Sequence, residues 1–344
     1  MGLRGYIVKR IIYTFFLILF VLTLNFIIFE IMPHDPLQFF LAAPKAGHGA
    51  LTSIQIAQIY HQWGLDQPWP VRYVKYIVNM LTFNFGLSAP STGRQPVVRI
   101  IMTYLPNTLI LMGLSTIFAI LIGVTLGVLA AYKRGGLFDS ASVITSLVTF
   151  SLPTFWMGLL GITIFAIDLR ILPTGRIVDL GMPPWTAFSI LGTQFALPTT
   201  TEIMNRITHL IMPVGVLTLF SYGGYLLLTR ATMLEALTED YILTAKAKGL
   251  KERTVIFKHA LKNASLPIIT SSALSIGFLI GGAIITETVF SYFGIGWLTI
   301  NSIMITLDYP VLMAIFYITA LCVIMANFVS DLLYGVIDPR IKYG

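Results

Sequence analysis

The chain has 344 residues, 56% of them hydrophobic and only 11% charged, with a formal net charge of +7. A soluble domain carries about 25% charged residues; with a mean hydropathy of +0.83, too few charges remain here to cover a water-facing surface, so an ordinary soluble protein is excluded. The positive charge does not point to nucleic acid, because the basic residues stand between apolar runs rather than in one stripe, and the single cysteine, Cys322, permits neither a disulfide framework nor a cysteine-based metal site.

A hydrocarbon core about 30 Å thick takes roughly 20 helical residues to cross. The first apolar run, Ile11 to Met32, follows Arg4, Lys9 and Arg10. It exceeds the roughly 7–15-residue core of a secretory signal and ends in Pro33-His34-Asp35-Pro36 without an A-x-A-like site, so it reads as a retained span. From Pro33 to Pro106 the chain is more polar and punctuated by Pro, Gly, Ser and Thr. Within it Val71 to Phe83 is amphipathic and too short to span; two placements stay open, on the outer membrane surface or packed against neighbouring helices. Five more spans follow, over about Asn107–Tyr132, Ser142–Leu169, His209–Thr229, Leu266–Phe290 and Tyr309–Val336. Pro153 falls inside the third and is expected to kink it.

Six spans place both termini on one side, and positive residues in short loops mark that side as cytoplasmic. Arg4, Lys9, Arg10, Lys133, Arg134, Arg230, Lys246, Lys248, Lys251, Arg253, Lys258, Lys262, Arg340 and Lys342 share that face. The opposite face holds Lys45, Arg72, Lys75, Arg94, Arg99, Arg170, Arg176 and Arg206, spread over longer segments that the rule hardly constrains.

The one large cytoplasmic feature lies between the fourth and fifth spans. Thr238 can cap a helix with Glu239 and Asp240 in its first turn and Lys246 and Lys248 in its last, which suits the helix dipole. Gly249 then supplies a left-handed stop. A second helix is expected over Lys251–Asn263, with Pro267 at the entrance to the fifth span.

Asp240-Tyr241-Ile242-Leu243-Thr244-Ala245-Lys246-Ala247-Lys248-Gly249-Leu250, followed by His259-Ala260-Leu261-Lys262-Asn263-Ala264 and Leu266-Pro267, resembles the signature loop of binding-protein-dependent ABC importer permeases, in particular the first permease subunit of the dipeptide/oligopeptide branch. Leu65-Asp66-Gln67-Pro68, Phe85-Gly86-Leu87-Ser88, Leu105-Pro106-Asn107-Thr108, Ser151-Leu152-Pro153-Thr154, Leu172-Pro173-Thr174-Gly175, Glu287-Thr288-Val289-Phe290 and Asp338-Pro339-Arg340-Ile341 carry the likeness along the whole chain. Against the general E-A-A-x-x-x-G form, Leu243 and Thr244 depart and only Ala245 and Gly249 match. The interval from Gly249 to Pro267 is longer than in the sugar-importing branch and similar to the peptide branch.

The resemblance implies an all-α membrane protein with six transmembrane helices, the type I ABC importer permease fold, and an extracellular segment after the first helix. Residues 1–94 would comprise that helix and segment, 95–336 the permease domain with its cytoplasmic coupling loop 230–265, and 337–344 a cytoplasmic tail. The implied partners are a second homologous permease, two ABC ATPase subunits that bind the ATP and Mg, an extracellular solute-binding protein and membrane lipid. Asp240, Tyr241, Thr244, Ala245, Lys246, Ala247, Lys248 and Gly249 would form the ATPase-coupling helix, with Tyr241, Thr244 and Ala245 meeting the ATPase and Gly249 setting the corner. Cargo would be a peptide or a related small oligomer, oligosaccharides included.

Glu287 and Pro153 are candidates for the substrate path; for Glu287 a carboxylate paired at the membrane interface is an equal alternative, because a charge deep in the bilayer costs at least about 2.5–3.5 kcal/mol. Interface placement is favoured for Asp168, Glu30 and Asp331. Gly123/Gly127 and Gly277/Gly281 have the G-x-x-x-G spacing that lets helices approach closely, within this chain or across a dimer. His209 and His259 lack metal-ligand spacing, and neither a catalytic set nor a phosphate-binding G-x-x-x-x-G-K-[ST] occurs, so the chain itself is expected to be no enzyme. A secondary transporter driven by an ion gradient is the alternative function.

Overall fold

A computed structural model describes residues 3–31, 66–181, 186–190, 193–197 and 199–337. The expectations for Leu65, for most of the segment after the first helix and for the tail motif Asp338-Pro339-Arg340-Ile341 lie outside the described residues. Among the described residues five helices are long and apolar enough to cross a membrane, and six spans result when a bent pair counts as one. In chain order these are α1 (Leu3–Ile31), the short α2 (Trp69–Leu81), α3 (Val97–Tyr132), the pair α4 (Leu137–Ser151) and α5 (Thr154–Asp168), and α6 (Thr200–Leu237). The short α7 (Asp240–Ala247) precedes α8 (Glu252–Gly281), then the short α9 (Ile284–Val289) and α10 (Ile295–Met304), and last α11 (Tyr309–Ile337). The spans therefore run longer than their apolar cores. The fourth begins where Thr199 accepts a hydrogen bond from the Glu202 N–H at 3.2 Å, a T-x-x-E cap ahead of the apolar run.

Both glycine pairs settle within the chain. A Cβ on Gly123 would lie 2.5 Å from Tyr225 Cβ and 2.6 Å from the Tyr222 carbonyl oxygen, and one on Gly127 2.7 Å from the Leu226 carbonyl oxygen. The α3–α6 seam is thus backbone against backbone, as small-residue packing requires where lipid gives no hydrophobic drive. Gly277 meets Ala326 and Cys322, and Gly281 meets Thr319, so α8 and α11 close antiparallel in the same way. Arg10 on α1 pairs with Asp331 on α11, which brings the first and last helices together at the end of the bundle that carries α7, here the loop face.

Four local outcomes differ from the sequence expectation. The third span is broken rather than kinked: Leu152 (φ −79°, ψ 130°) and Pro153 (φ −60°, ψ 134°) are extended, and α4 and α5 diverge by 96°. The ring of Pro153 disfavours the helical conformation at the residue before it, and here Leu152 is extended, so the loss exceeds one hydrogen bond. The fifth span ends at Gly281, not Phe290. Gly282 (φ +71°) ends the helical run, and residues 284–304 form the separate short helices α9 and α10. Pro267 sits inside α8 rather than at its entrance, because the helix begins at Glu252 on the loop face and continues without a stop at Asn263. A two-stranded hairpin, Thr186–Ile190 with Thr193–Leu197, adds a small antiparallel element between α5 and α6 that the apolar pattern did not signal.

At the opposite face, α2 packs on the bundle. Asn25 Nδ2 donates to Tyr76 Oη at 2.8 Å, Tyr73 and Thr23 share a 2.8 Å hydrogen bond, and Phe26 lies against both rings. Trp69, Val74 and Val78 remain exposed on its other side. Buried Asp308, which the sequence reading did not single out, accepts from Thr92 Oγ1 at 2.6 Å and from the Val311 N–H at 3.3 Å. It caps α11 and ties the Phe85–Val97 segment to it.

Asp179 accepts from Asn205 Nδ2 at 2.6 Å and faces His209 Nε2 at 3.2 Å. The Asn205 hydrogen bond foremost, then His209, holds its carboxyl below the usual carboxylate value. This contact therefore stabilises the fold above that value, about pH 4, and the contribution is lost as pH falls through the lowered one. Hydrogen exchange of residues 172–181 is expected to show an acid-induced loosening whose onset shifts to higher pH in Asn205→Ala; an unchanged onset would mean that Asp179 is held by something else.

Candidate functional site

Two constructions stand out, one at each end of the bundle. At the loop face, α7 turns two residues inward. Ile242 and Ala245 are 1% and 4% exposed and pack with Val128, Ala131, Met233, Val255, Ile256 and Ala260. The opposite stripe, Asp240, Leu243, Thr244 and Ala247, is exposed at helical spacing, with Lys246 and Lys248 beside it. The helix stops as expected at Gly249 (φ +72°): its N–H donates to the Lys246 carbonyl at 2.9 Å and the Leu250 N–H to that of Ala245 at 3.4 Å, a Schellman closure. At its start, Glu239 rather than Thr238 occupies the capping position; the Thr238 hydroxyl turns back to donate to the Glu235 carbonyl at 2.7 Å and so closes α6.

Ala245, expected to meet a partner, is therefore sealed against the bundle, and Tyr241 is half-buried. Leu243, which stands where the general motif carries glutamate and was left out of the expected coupling set, is 64% exposed. Beyond the corner, Leu250 and Phe257 are also exposed, and Tyr132 Oη donates to Glu252 Oε2 at 2.8 Å, fixing the start of α8 to the end of α3. A cavity of about 310 Å³ opens beside this contact, lined by Val128, Leu129, Ile256 and Phe257 among others.

At the opposite end, Glu287 is completely buried. Its Oε1 accepts from Thr108 Oγ1 at 3.0 Å and from the Ala283 N–H at 3.3 Å, and its Oε2 from the Trp297 N–H at 2.9 Å. Thr108 Oγ1 in turn accepts from the Ile295 N–H at 2.7 Å, and Asn107 Nδ2 donates to the Phe293 carbonyl at 2.8 Å. Gly282, Gly294 and Gly296 crowd the carboxylate: a Cβ on Gly282 or Gly294 would collide with it, and one on Gly296 would collide with the Ile284 backbone beside it. A charge this deep is tolerated because backbone N–H groups at the start of α10 and a hydroxyl satisfy it.

Three of the stretches that carry the resemblance converge here. Phe290 of the Glu287–Phe290 run accepts through its carbonyl from the Arg176 N–H at 2.7 Å and packs on Gly175, whose carbonyl accepts from His209 Nδ1 at 2.6 Å. Asn107 and Thr108 close the knot from α3. Glu287 consequently presents no surface to a cargo in this arrangement, while Pro153 is exposed at the break between α4 and α5.

The family profile described as binding-protein-dependent transport system inner membrane component matches residues 123–343, and its N-terminal companion, described as binding-prot-dependent transport system membrane comp, N-term, matches residues 3–112. The chain belongs to this family. The permease is 37% identical over 341 residues to the oligopeptide transport system permease protein AppB of Bacillus subtilis, covering 99% of this chain and 100% of that one. It is 36% identical over 325 residues to the dipeptide transport system permease protein DppB of Escherichia coli K12, covering 93% of each. Its fold is similar to a chain in an inward-facing structure of the MetNI methionine ABC transporter, with a TM-score of 0.54 at 16% identity, covering 71% of the permease and 99% of that chain. The type I importer permease fold is thereby established for this chain, and it is a multi-pass membrane component of an importer.

Proposed function

We propose that this permease is the first of two homologous membrane subunits of an ATP-driven importer for peptides or related small oligomers, with both termini and α7 in the cytoplasm. Two separate ATPase subunits would bind the nucleotide and Mg, and an external solute-binding protein would deliver cargo. The observation that carries the reading is the two-faced build of α7. One side is cemented into the bundle by Ile242 and Ala245; the other offers Asp240, Leu243, Thr244 and Ala247 as an exposed ridge closed by a rigid glycine corner. Such a helix moves with the bundle when its outer ridge is held by another protein, so closure of an ATPase dimer would select one arrangement of the spans over the other. The near full-length likeness to named oligopeptide and dipeptide permeases supports the peptide cargo. An ion-gradient carrier is disfavoured because the lone pairs of Glu287 are already engaged by protein donors.

Co-purification of the ATPase subunits tests the reading. Burying a leucine stabilises an interface by about 1.5–3 kcal/mol, so Leu243→Asp should weaken ATPase capture roughly tenfold to a hundredfold. Gly249→Val should leave capture intact but lower transport per ATP hydrolysed. No atom lies within 4 Å of an added Cβ there, so the penalty is the left-handed backbone alone, about 1–2 kcal/mol. Gly249→Asn, which tolerates that conformation, should retain coupling. Transport by the lone chain without any ATPase would overturn the proposal.

A further inference from the structure

The attachment of α4, the loop-face half of the broken third span, is thin. Of its 15 residues only Asp139 and Ser146 are buried, while Ile144, Leu147, Val148 and Phe150 are each more than half exposed. Ser146 sits on Gly223 of α6, where an added Cβ would lie 2.9 Å from the Ser146 carbonyl oxygen, and Phe150 stacks on Phe220 at 5.3 Å. Val143 packs beside them against the cluster of Ala119, Tyr222, Tyr225 and Leu226, and a polar anchor completes the attachment. Arg230 of α6 donates Nε to Asp139 Oδ1 at 2.5 Å and Nη2 to Oδ2 at 2.8 Å, and the Gly135 N–H donates to Oδ2 at 2.9 Å. Both carboxylate oxygens are thus engaged in a planar fork, which fixes orientation as well as distance.

The partners of the two halves differ. α4 is held to the stretch of α6 from Phe220 to Arg230, the stem that ends at Leu237 two residues before α7. α5 is held to the far end: Gly158 packs on Val289 and Phe290, and Gly161 faces Met212. Between the halves lies the extended pair Leu152–Pro153, which no helical hydrogen bond crosses.

We propose that Asp139 and Arg230 are positioning residues that lock α4 to the stem of α7, so that displacement of α7 turns α4 about Leu152–Pro153 while α5 stays with the Glu287 knot. The idea rests on the reading of α7 as the ATPase-coupling helix. Without the fork, α4 would keep the Val143, Ser146 and Phe150 contacts but no polar lock on its orientation, and would follow the stem incompletely.

The test uses the assembled transporter in proteoliposomes, with Cys322→Ser as background for spin labels. In the wild type, labels at Ile144 of α4 and Ala231 of α6 should keep one distance with and without ATP, whereas labels at Leu147 of α4 and Leu159 of α5 should change theirs. In Arg230→Gln and Asp139→Asn the Ile144–Ala231 distance should broaden and become nucleotide-dependent. Transport per ATP should fall roughly threefold to thirtyfold, the range expected for residues along a coupling path, with ATPase capture unchanged. Arg230→Lys, which keeps the charge but not the fork, should lie between. Wild-type stoichiometry in both single variants, or a Leu147–Leu159 distance that stays fixed through the cycle, would overturn the proposal. Loss of the ATPase reading would show separately, as failure of Leu243→Asp to release the ATPase subunits.

Discussion

Glu287→Ala is expected to destabilise the permease by about 3 kcal/mol or more, the cost of leaving three buried donors without an acceptor, seen as a lowered unfolding midpoint of the isolated chain in detergent. The substitution strands the Ala283 and Trp297 N–H groups and the Thr108 hydroxyl away from water, and each buried donor left unpaired costs about 1–3 kcal/mol. Glu287→Gln keeps the shape but points an amide NH₂ at groups that are themselves donors, so it should cost a smaller part of that sum. Both variants should loosen α9 and α10 first, with faster hydrogen exchange at Ile295 and Trp297. A contrasting result would be a Glu287→Gln chain of normal stability with altered cargo preference. That outcome would return the carboxylate to the substrate path and remove it from the architecture.

The second large effect is expected at the α3–α6 seam. Gly123→Ala and Gly127→Ala each insert a methyl group where the neighbouring atoms include the Tyr222 and Leu226 backbone carbonyls, which cannot rotate aside. The helices must separate, at a cost of about 1–3 kcal/mol per site or more. The natural control lies in the same two helices: Gly113, Gly215 and Gly224 have no atom within 4 Å of an added Cβ. Alanine there should be neutral or stabilising by up to about 1 kcal/mol, since it removes the backbone entropy cost of glycine in a helix. Equal melting behaviour for the two sets, in the isolated chain, would show that the seam is not the tight contact described here.

The parts legible in the sequence are those set by one-dimensional physics. Apolar run length against bilayer thickness located six spans, and the Gly249 stop followed from a left-handed requirement that only one residue in that stretch meets easily. The short helix over Trp69–Leu81 matched its amphipathic stripe to within two residues, whereas the punctuated stretch expected to run to Pro106 ends earlier, because α3 begins at Val97 and carries Pro106 within it. Reading failed where an apolar stretch breaks without changing composition. Leu279 to Phe290 looks like more of the same span, yet the Gly281-Gly282 pair and the cap that Glu287 offers to α10 divide it into separate helices. The same limit hid α10, whose apolar sequence reads as loop or span according to its neighbours.

Within the candidate site, helical spacing could have sorted Ile242 and Ala245 from Leu243 and Thr244, but not which stripe faces the bundle; that was decided by Met233, Val255 and Ile256 arriving from α6 and α8. The pairing of Asp139 with Arg230, and of Thr108 with Glu287, joins residues far apart in the chain, and no local pattern encodes such partners. What the sequence alone determined was a membrane-spanning chain with one charged, glycine-cornered loop, because solvent and backbone conformation act residue by residue. Which glycines touch, where the third span breaks into two bodies and why a buried carboxylate is tolerated were decided only by tertiary structure, because close packing and hydrogen-bond satisfaction depend on what the rest of the chain brings to the same place.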